Sequence, residues 1–485
     1  MFKKIIILLI SLITIVISLF FFFDIEQDDI KDTSNNIVYS VDNIPTNLEK
    51  ASELTIRDSD IICATSIGLV NKDDNGNIIS SLAKSISVSE NGIEYNFEIS
   101  DKAYWSDGSK ITAQDIINFF KDLLLVENEE SISAALDIYG AYYYRINKSD
   151  FDTTVAMTSD GNNIKIRLNK QNDNFLNELT KPIYRLRDNL SLWNNLIENY
   201  KNIKYSGTYN ISYLSDEKMI LSSNDKSKSN IEFIKDKNKE LAMAAFEVGD
   251  RDIILDPPKS QVLRLDEEGK LLTFSQDKGL YVRINDNLSL DERKTIYRYI
   301  CSSIEKFQEE NPSRILLAEG SYFIYDMNDL VKLQNRKVNT NRNGENVEVP
   351  NVLTLFARDD EDSRDIGRYL TEYFKEYYSI DLTCSFVGED EFNDRELQKR
   401  YDLILNILEY NKENIDEFFN NIKLLINEDN ESNNEINYEL YEEELFNSYR
   451  FLPICFINRH IAVSSNIFNI YIDSNGNIDL LKLKK

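Results

Sequence analysis

Four short stretches of this chain place Asn-Gly or Asp-Gly between strand-like runs: KDDNGN (72–77), SENG (89–92), TSDGNN (158–163) and DSNGN (473–477). Glycine accepts the positive φ that a tight hairpin needs, so each stretch predicts two antiparallel strands joined by a short turn. The neighbouring runs GIEYNFEIS (92–100), NIKIRLN (163–169), TYNISYL (208–214), KMILSS (218–223) and NIEFIK (230–235) alternate apolar with polar residues. Period two predicts half-buried antiparallel strands. Elsewhere the period becomes helical. TAQDIINFFKDLLL (112–125) sets Ile116, Phe120 and Leu123 on one face, and residues 288–308 and 363–378 are likewise amphipathic. Residues 409–448 read as acidic helix interrupted by a polar surface loop, NEDNESNNE. Short strands, VLTLFA (352–357) and YDLILNIL (401–408), alternate with these helices. Strand-rich early and middle parts followed by mixed elements predict at least two α/β lobes, which 485 residues can fill.

Charge narrows the partners. With 55 Lys plus Arg against 83 Asp plus Glu, the formal charge is −28. Such a surface repels phosphate backbones, so nucleic acid is not an expected partner. Lys3 and Lys4 precede the apolar run Ile5 to Phe23, and Asp24, Glu26, Asp28 and Asp29 follow it. As a helix that run spans about 28 Å, near the hydrocarbon thickness of a bilayer. Basic residues on its N-terminal side alone predict a single-pass anchor, with the body on the extracellular side. No small-x-small cleavage site and no cysteine follow, so an uncleaved anchor is expected rather than a lipoprotein. Residues 24–36 read as a tether, completing an anchor-and-tether segment at 1–36.

Catalytic and metal signals are weak. Cys63, Cys301, Cys384 and Cys455 are far apart and form no CxxC pair. His460 is the only histidine, so Ser106 and Asp107 have no base nearby in sequence. The glycines of the Asp-rich turns are out of place for a calcium loop with Glu at its twelfth position. No enzyme activity, cofactor or metal is expected.

The stretch YWSDGSKITAQDIINFFKDLLL (104–125) reads as a strand end, a tight turn with Gly108, and a helix capped by Thr112 with Asp115 at N3. It also carries a resemblance. Leu82, Ala83, Asn91, Gly92, Tyr95, Phe97, Trp105, Ser106, Asp107, Gly108, Thr112, Ala113 and Asp115 follow one another as in the extracellular solute-binding proteins of family 5. These are oligopeptide and dipeptide receptors of ABC importers. Residues 205–221, 230–258, 279–286, 401–419 and 453–480 resemble later parts of that family, with Thr208 where it has proline.

The resemblance implies a type II, periplasmic-binding-protein-like α/β fold with mixed sheets, in which two lobes joined by two crossover strands close on a ligand. Lobe one takes 37–66, 161–258 and 452–485, with a subdomain at 67–160; lobe two takes 259–451. It implies ligand contacts from Asn285, Glu409 and Asn411. Tyr410 and the aromatic run Tyr142, Tyr143 and Tyr144 are further candidates, stacking on ligand side chains; a packed loop is the competing reading of that run. At the position of the family's ammonium-binding aspartate stands Asn411, with Glu409 the nearest charge. Ile67 and Thr295 replace the usual glutamate and alanine. The expected function is capture of a peptide or other small solute for an ABC permease. The alternative is a homologue without transport, acting as a ligand sensor or protein-interaction module.

Overall fold

Three of the four expected hairpins close in the computed structural model, which describes residues 36–73, 75–223, 225–323, 347–409, 415–426, 438–472 and 476–485. β2 (Val70–Lys72) pairs with β3 (Ile78–Ser80), β4 (Ala83–Val88) with β5 (Glu94–Ile99), and β6 (Met157–Asp160) with β7 (Asn163–Arg167). At the fourth, residues 473–475 lie outside the described residues, and Ile472 bridges Ile478 across the gap. The 409–448 segment contains two described helices, Ile415–Ile426 and Tyr438–Ser448; most of its expected loop lies outside the described residues.

β5 also pairs with β7, giving a four-stranded antiparallel sheet in the order β4-β5-β7-β6. Helix α1 (Ala113–Val126) covers its apolar face, burying Ile116, Ile117, Phe120, Leu123 and Leu124. The shared core runs from Leu69 to Leu190. The subdomain therefore extends past the boundary expected at residue 160, because β7 is laddered to β5 and β6.

The launch of α1 follows the sequence reading. Gly108 sits at φ +83°, and its N–H donates to Trp105 O at 2.9 Å. Thr112 Oγ1 accepts from Asp115 N, while Asp115 Oδ2 accepts from Thr112 N at 2.7 Å, a complete capping box. Ser106 joins distant segments: its N–H donates to Tyr205 O at 2.8 Å and its hydroxyl oxygen accepts from Tyr205 N at 3.0 Å.

The main sheet holds eleven strands among the described residues. Its path runs β15 (Asp381–Val387), β14 (Val352–Arg358), β16 (Leu403–Glu409), β12 (Leu271–Ile284), β17 (Phe451–Val463), β11 (Ile253–Leu255), β1 (Ile37–Val41), β10 (Ile231–Lys235), β9 (Lys218–Ser223) and β8 (Tyr209–Leu214). β13 (Ile315–Leu317) adds to β17. β10 is antiparallel to β9, as expected, but parallel to β1 on its other side. Residue alternation reports which face is buried and carries no information on strand direction.

β12 and β17 are too long to belong to one core. Leu271–Ser275 pair with Asn458–Ala462 near β11, whereas Lys278–Ile284 pair with β16 on one side and β17 on the other. The register shifts between these two stretches, after Ser275. At one end lies a core built around Ile37, Tyr39, Trp193, Met219 and Phe233. At the other lies a second core built around Leu280, Tyr281, Tyr297, Leu353 and Phe451. These two strands are the crossovers between lobes. Helix α3 (Lys239–Glu247) and helix α4 (Lys259–Glu267) share a small core of Ala242, Phe246, Ile254, Leu265 and Ala462. Residues just after 258 thus pack on the first lobe, and the second core begins at Leu280.

The apolar run at 5–23 lies outside the described residues, among which no helix is long and apolar enough to cross a membrane. All four cysteines are free thiols.

Candidate functional site

A cavity of about 230 Å³ opens where the crossover strands meet the second lobe. The chain enters it through Asp256-Pro257-Pro258-Lys259, directly after β11. Asp256 adopts φ +45°, held there as its N–H donates to His460 O at 2.9 Å and its carboxylate accepts from Arg459. Proline fixes the next two φ angles, so the turn presents the head of α4 rigidly.

That head carries Lys259. Its ammonium reaches helix α6 (Glu361–Tyr378) of the second lobe, at 2.9 Å from Asp362, 3.1 Å from Asp365 and 3.6 Å from Glu361. Acidic residues suit the first turn of a helix, where the dipole is positive, and here they also hold a cation. Arg314 pairs with Asp365 at 2.6 Å. Burial opposes ionisation of Asp365, yet the hydrogen bonds from Arg314 and Lys259 hold its carboxyl below the usual range.

His460 lies on β17 and also lines the cavity. A carbonyl can only accept, so Nε2 donates to Ser313 O at 2.8 Å. Burial lowers its pKa from the ordinary 6.5, against the opposing pull of Ser313 and Asp256. The folded protein therefore favours neutral imidazole. As pH falls below 6.5 the unfolded chain takes up the proton first, so unfolding free energy falls from there towards the lowered native pKa. Urea midpoints measured on either side of pH 6.5 should show this loss, and His460→Gln should lack that component.

The cavity is lined by five cationic side chains, Lys239, Lys259, Lys278, Arg314 and Arg459, and three carboxylates, Asp256, Glu361 and Asp362. Lys259, Arg314 and Arg459 are ion-paired. Lys239 and Lys278 have no ion pair to a described residue. Cys455 is also part of the lining, its thiol pushed up by burial. A larger concavity of about 490 Å³ lies on the small sheet, among outward-facing side chains such as Asn96, Lys165 and Arg167. It is far from the crossovers in topology, on one face of an antiparallel sheet.

The structure separates the residues expected at the site. Glu409 ends β16, exposed, in register with Lys278 of β12, and does not itself line the cavity. Tyr410 and Asn411 lie outside the described residues. Asn285 clamps a loop: its amide donates to Lys399 O at 3.1 Å and Tyr401 O at 3.0 Å and accepts from Asn287 N. Tyr142, Tyr143 and Tyr144 lie on helix α2 (Ala141–Asn147) of the subdomain. Tyr142 and Tyr143 are exposed, but Tyr144 is buried edge-on against Phe151 in the subdomain core, which corrects the reading of the run as one stacking surface. Sequence reasoning missed Asp256, Lys259, Lys278, Arg314 and Arg459. The Pro-Pro pair after an apolar strand was the one local signal for the first of these.

Comparison with known proteins follows from this geometry. The family model "Bacterial extracellular solute-binding proteins, family 5 Middle" matches residues 77–311. A dipeptide-binding protein of Lactococcus lactis subsp. cremoris is 28% identical over 153 residues, 31% of this chain and 27% of that protein. The matched stretch thus spans about a quarter of that relative's length. Among solved structures, the periplasmic murein tripeptide binding protein MppA in its unliganded open form superposes with TM-score 0.62 at 16% identity, over 93% of this chain and 97% of that one. Haemophilus influenzae OppA in complex with RPPGFSPFR gives TM-score 0.55 at 15% identity, over 93% and 98%. At these identities the structures establish the two-lobed type II fold. The matched family model and the superposed structures are those of binding proteins.

Proposed function

Because this chain is a divergent member of the bacterial extracellular solute-binding proteins of family 5, we propose that it captures a peptide or other small solute between its lobes and delivers it to an ABC permease. On this reading residues 5–23 anchor it in the membrane, the body faces the extracellular side, and residues 24–36 are the tether. The observation that carries the proposal is the charged cavity beside two crossover strands, with Lys239 and Lys278 available to a ligand carboxylate. On this reading Glu409, which is paired with Lys278 in the ladder, receives the ammonium of a zwitterionic ligand. Small solutes bind between hinged lobes because closure removes them from water on both sides at once. Asn411, Tyr410, Tyr142 and Tyr143 belong to the proposed contact set, and Asn285 supports it by holding its loop.

Thermal unfolding with peptides of two to ten residues tests this reading. A ligand at 100 times its Kd should raise stability by about 2.7 kcal/mol. Lys278→Glu should weaken the response to peptides with a free carboxylate more than the response to their amidated forms. Absence of any shift across the series would overturn the proposal.

A further inference from the structure

Two helices from different lobes meet across the cavity. Helix α4 belongs to the first lobe: Leu265 is buried with Ala242 and Phe246, and Arg264 pairs with Glu247 of α3 at 2.5 Å. Helix α6 belongs to the second, burying Ile366, Leu370 and Phe374 in its core. The stretch KSQVLRLD (259–266) sets Lys259 and Asp266 about two turns apart on one face of α4. Both ends of that face reach the second lobe, by unlike means.

At Asp266 the contact is part of the pivot. The carboxylate accepts from Ser313 Oγ at 2.6 Å, in the turn between helix α5 (Leu290–Glu310) and β13. The same turn is held by crossover strand β17. Ser313 O accepts from Asn458 Nδ2 at 3.0 Å and from His460, and Asn458 N donates to Arg314 O at 3.1 Å. At Lys259 the contact is made by side chains alone. Its ammonium meets Glu361, Asp362 and Asp365, and Asp365 is shared with Arg314. The other carboxylates at the head of α6 are taken within the second lobe, Asp359 by Arg364 and Asp360 by Arg358. Among the described residues, Lys259 is thus the one first-lobe cation paired with the head of α6.

We propose that Lys259 is an electrostatic latch that sets the angle between the lobes. A hinge motion about the crossovers can keep the β12–β17 ladder and the 313–314 turn intact, but it moves α6 relative to α4. The two prolines fix the backbone ahead of Lys259, so its ammonium reaches Asp362 and Asp365 only over a narrow range of lobe angles. The Lys259, Asp362 and Asp365 side chains are 26, 27 and 33% exposed, so salt reaches the latch. Partly exposed pairs contribute little singly, and this cluster should favour the latched angle about five-fold. The inference rests on the two-lobed fold and needs no ligand, so its failure leaves the capture reading untouched.

The full chain in detergent micelles, with azide-bearing residues in place of Val248 and Val352 to carry donor and acceptor dyes, provides the test. These side chains are 74% and 61% exposed, on the first and second lobe respectively. Single-molecule energy transfer reads the distance between them. Lys259→Gln should lower the population at the parent's main distance, relative to the rest, about five-fold. Lys259→Arg keeps the charge and should restore the parent distribution. Raising salt from about 0.1 M to about 1 M shortens the screening length from about 10 Å to about 3 Å. The parent should then move towards the Lys259→Gln distribution, while Lys259→Gln itself changes less. Equal distributions for the parent and Lys259→Gln overturn the latch and assign the angle to the crossover backbone. A parent distribution that ignores salt also overturns it, because packing rather than charge would then hold the lobes. The salt series needs no substitution at Lys259, so it decides the matter even where Lys259→Gln folds poorly.

Discussion

Arg187→Met should cost about 3–5 kcal/mol of stability, because it strands a buried carboxylate. Arg187 and Glu127 have fully buried side chains, 3.4 Å apart. The guanidinium also donates to Leu48 O at 2.5 Å and Glu49 O at 2.8 Å. Glu127 accepts from Ala51 N at 2.6 Å, Ser52 N at 3.2 Å and Ser52 Oγ at 2.8 Å. Burial lowers the Arg187 pKa to about 10, against the pull of Glu127, so the guanidinium stays charged at neutral pH.

Its position explains the size of the effect. Arg187 stands 5.9 Å from the ring centre of Phe119 in the subdomain core and 5.9 Å from that of Trp193 in the core of the first lobe. It joins the subdomain to the lobe. Urea denaturation should show the loss for Arg187→Met and partial recovery in Glu127→Gln/Arg187→Met, where no charge is left unpaired. A single variant within about 1 kcal/mol of the parent would mean that the pair is hydrated in solution.

Tyr281→Ala should cost about 3–5 kcal/mol by opening a cavity in the second lobe. The ring is fully buried, with Phe451, Phe418 and Tyr322 at centroid distances of 5.5, 5.7 and 6.2 Å. Its hydroxyl donates to Tyr322 O at 2.7 Å. A side chain at Gly279 would stand 2.5 Å from that hydroxyl, so the glycine two residues back on β12 gives the ring room. Tyr281→Phe should cost only about 1–3 kcal/mol, by leaving the Tyr322 carbonyl without its donor. Because β12 runs on to the cavity through Lys278, Tyr281→Ala should also reduce the peptide-induced thermal shift. Calorimetry with and without peptide reads both effects. An unchanged shift would place ligand recognition away from the second lobe's end of β12.

Much of the architecture was legible locally. The Asn-Gly and Asp-Gly turns, the capping box at Thr112 and Asp115, and the helices near 290–310 and 361–378 depend on neighbours in sequence, where backbone preference and side-chain period act directly. The order of Trp105, Ser106, Asp107 and Gly108 carried the family resemblance for the same reason. Subdomain limits were less legible. Which strand joins which sheet is decided by ladders such as Glu94 to Arg167, between residues distant in sequence.

The site shows the same division. Sequence alone determined that this chain has half-buried strands, capped helices, a strongly acidic surface and an apolar segment ahead of the body. It also brought Glu409 into consideration, through a resemblance along one strand. Only the tertiary structure placed Lys278 opposite Glu409, set Lys259 against Asp362 and Asp365, and turned Tyr144 inward while Tyr142 and Tyr143 stayed exposed. Backbone period and turn chemistry are short-range and are written in consecutive residues. A charged cavity is assembled from the loop after β11 together with β12, β17, α3, α4 and α6, and the long-range register of the crossover strands decides which of their side chains meet.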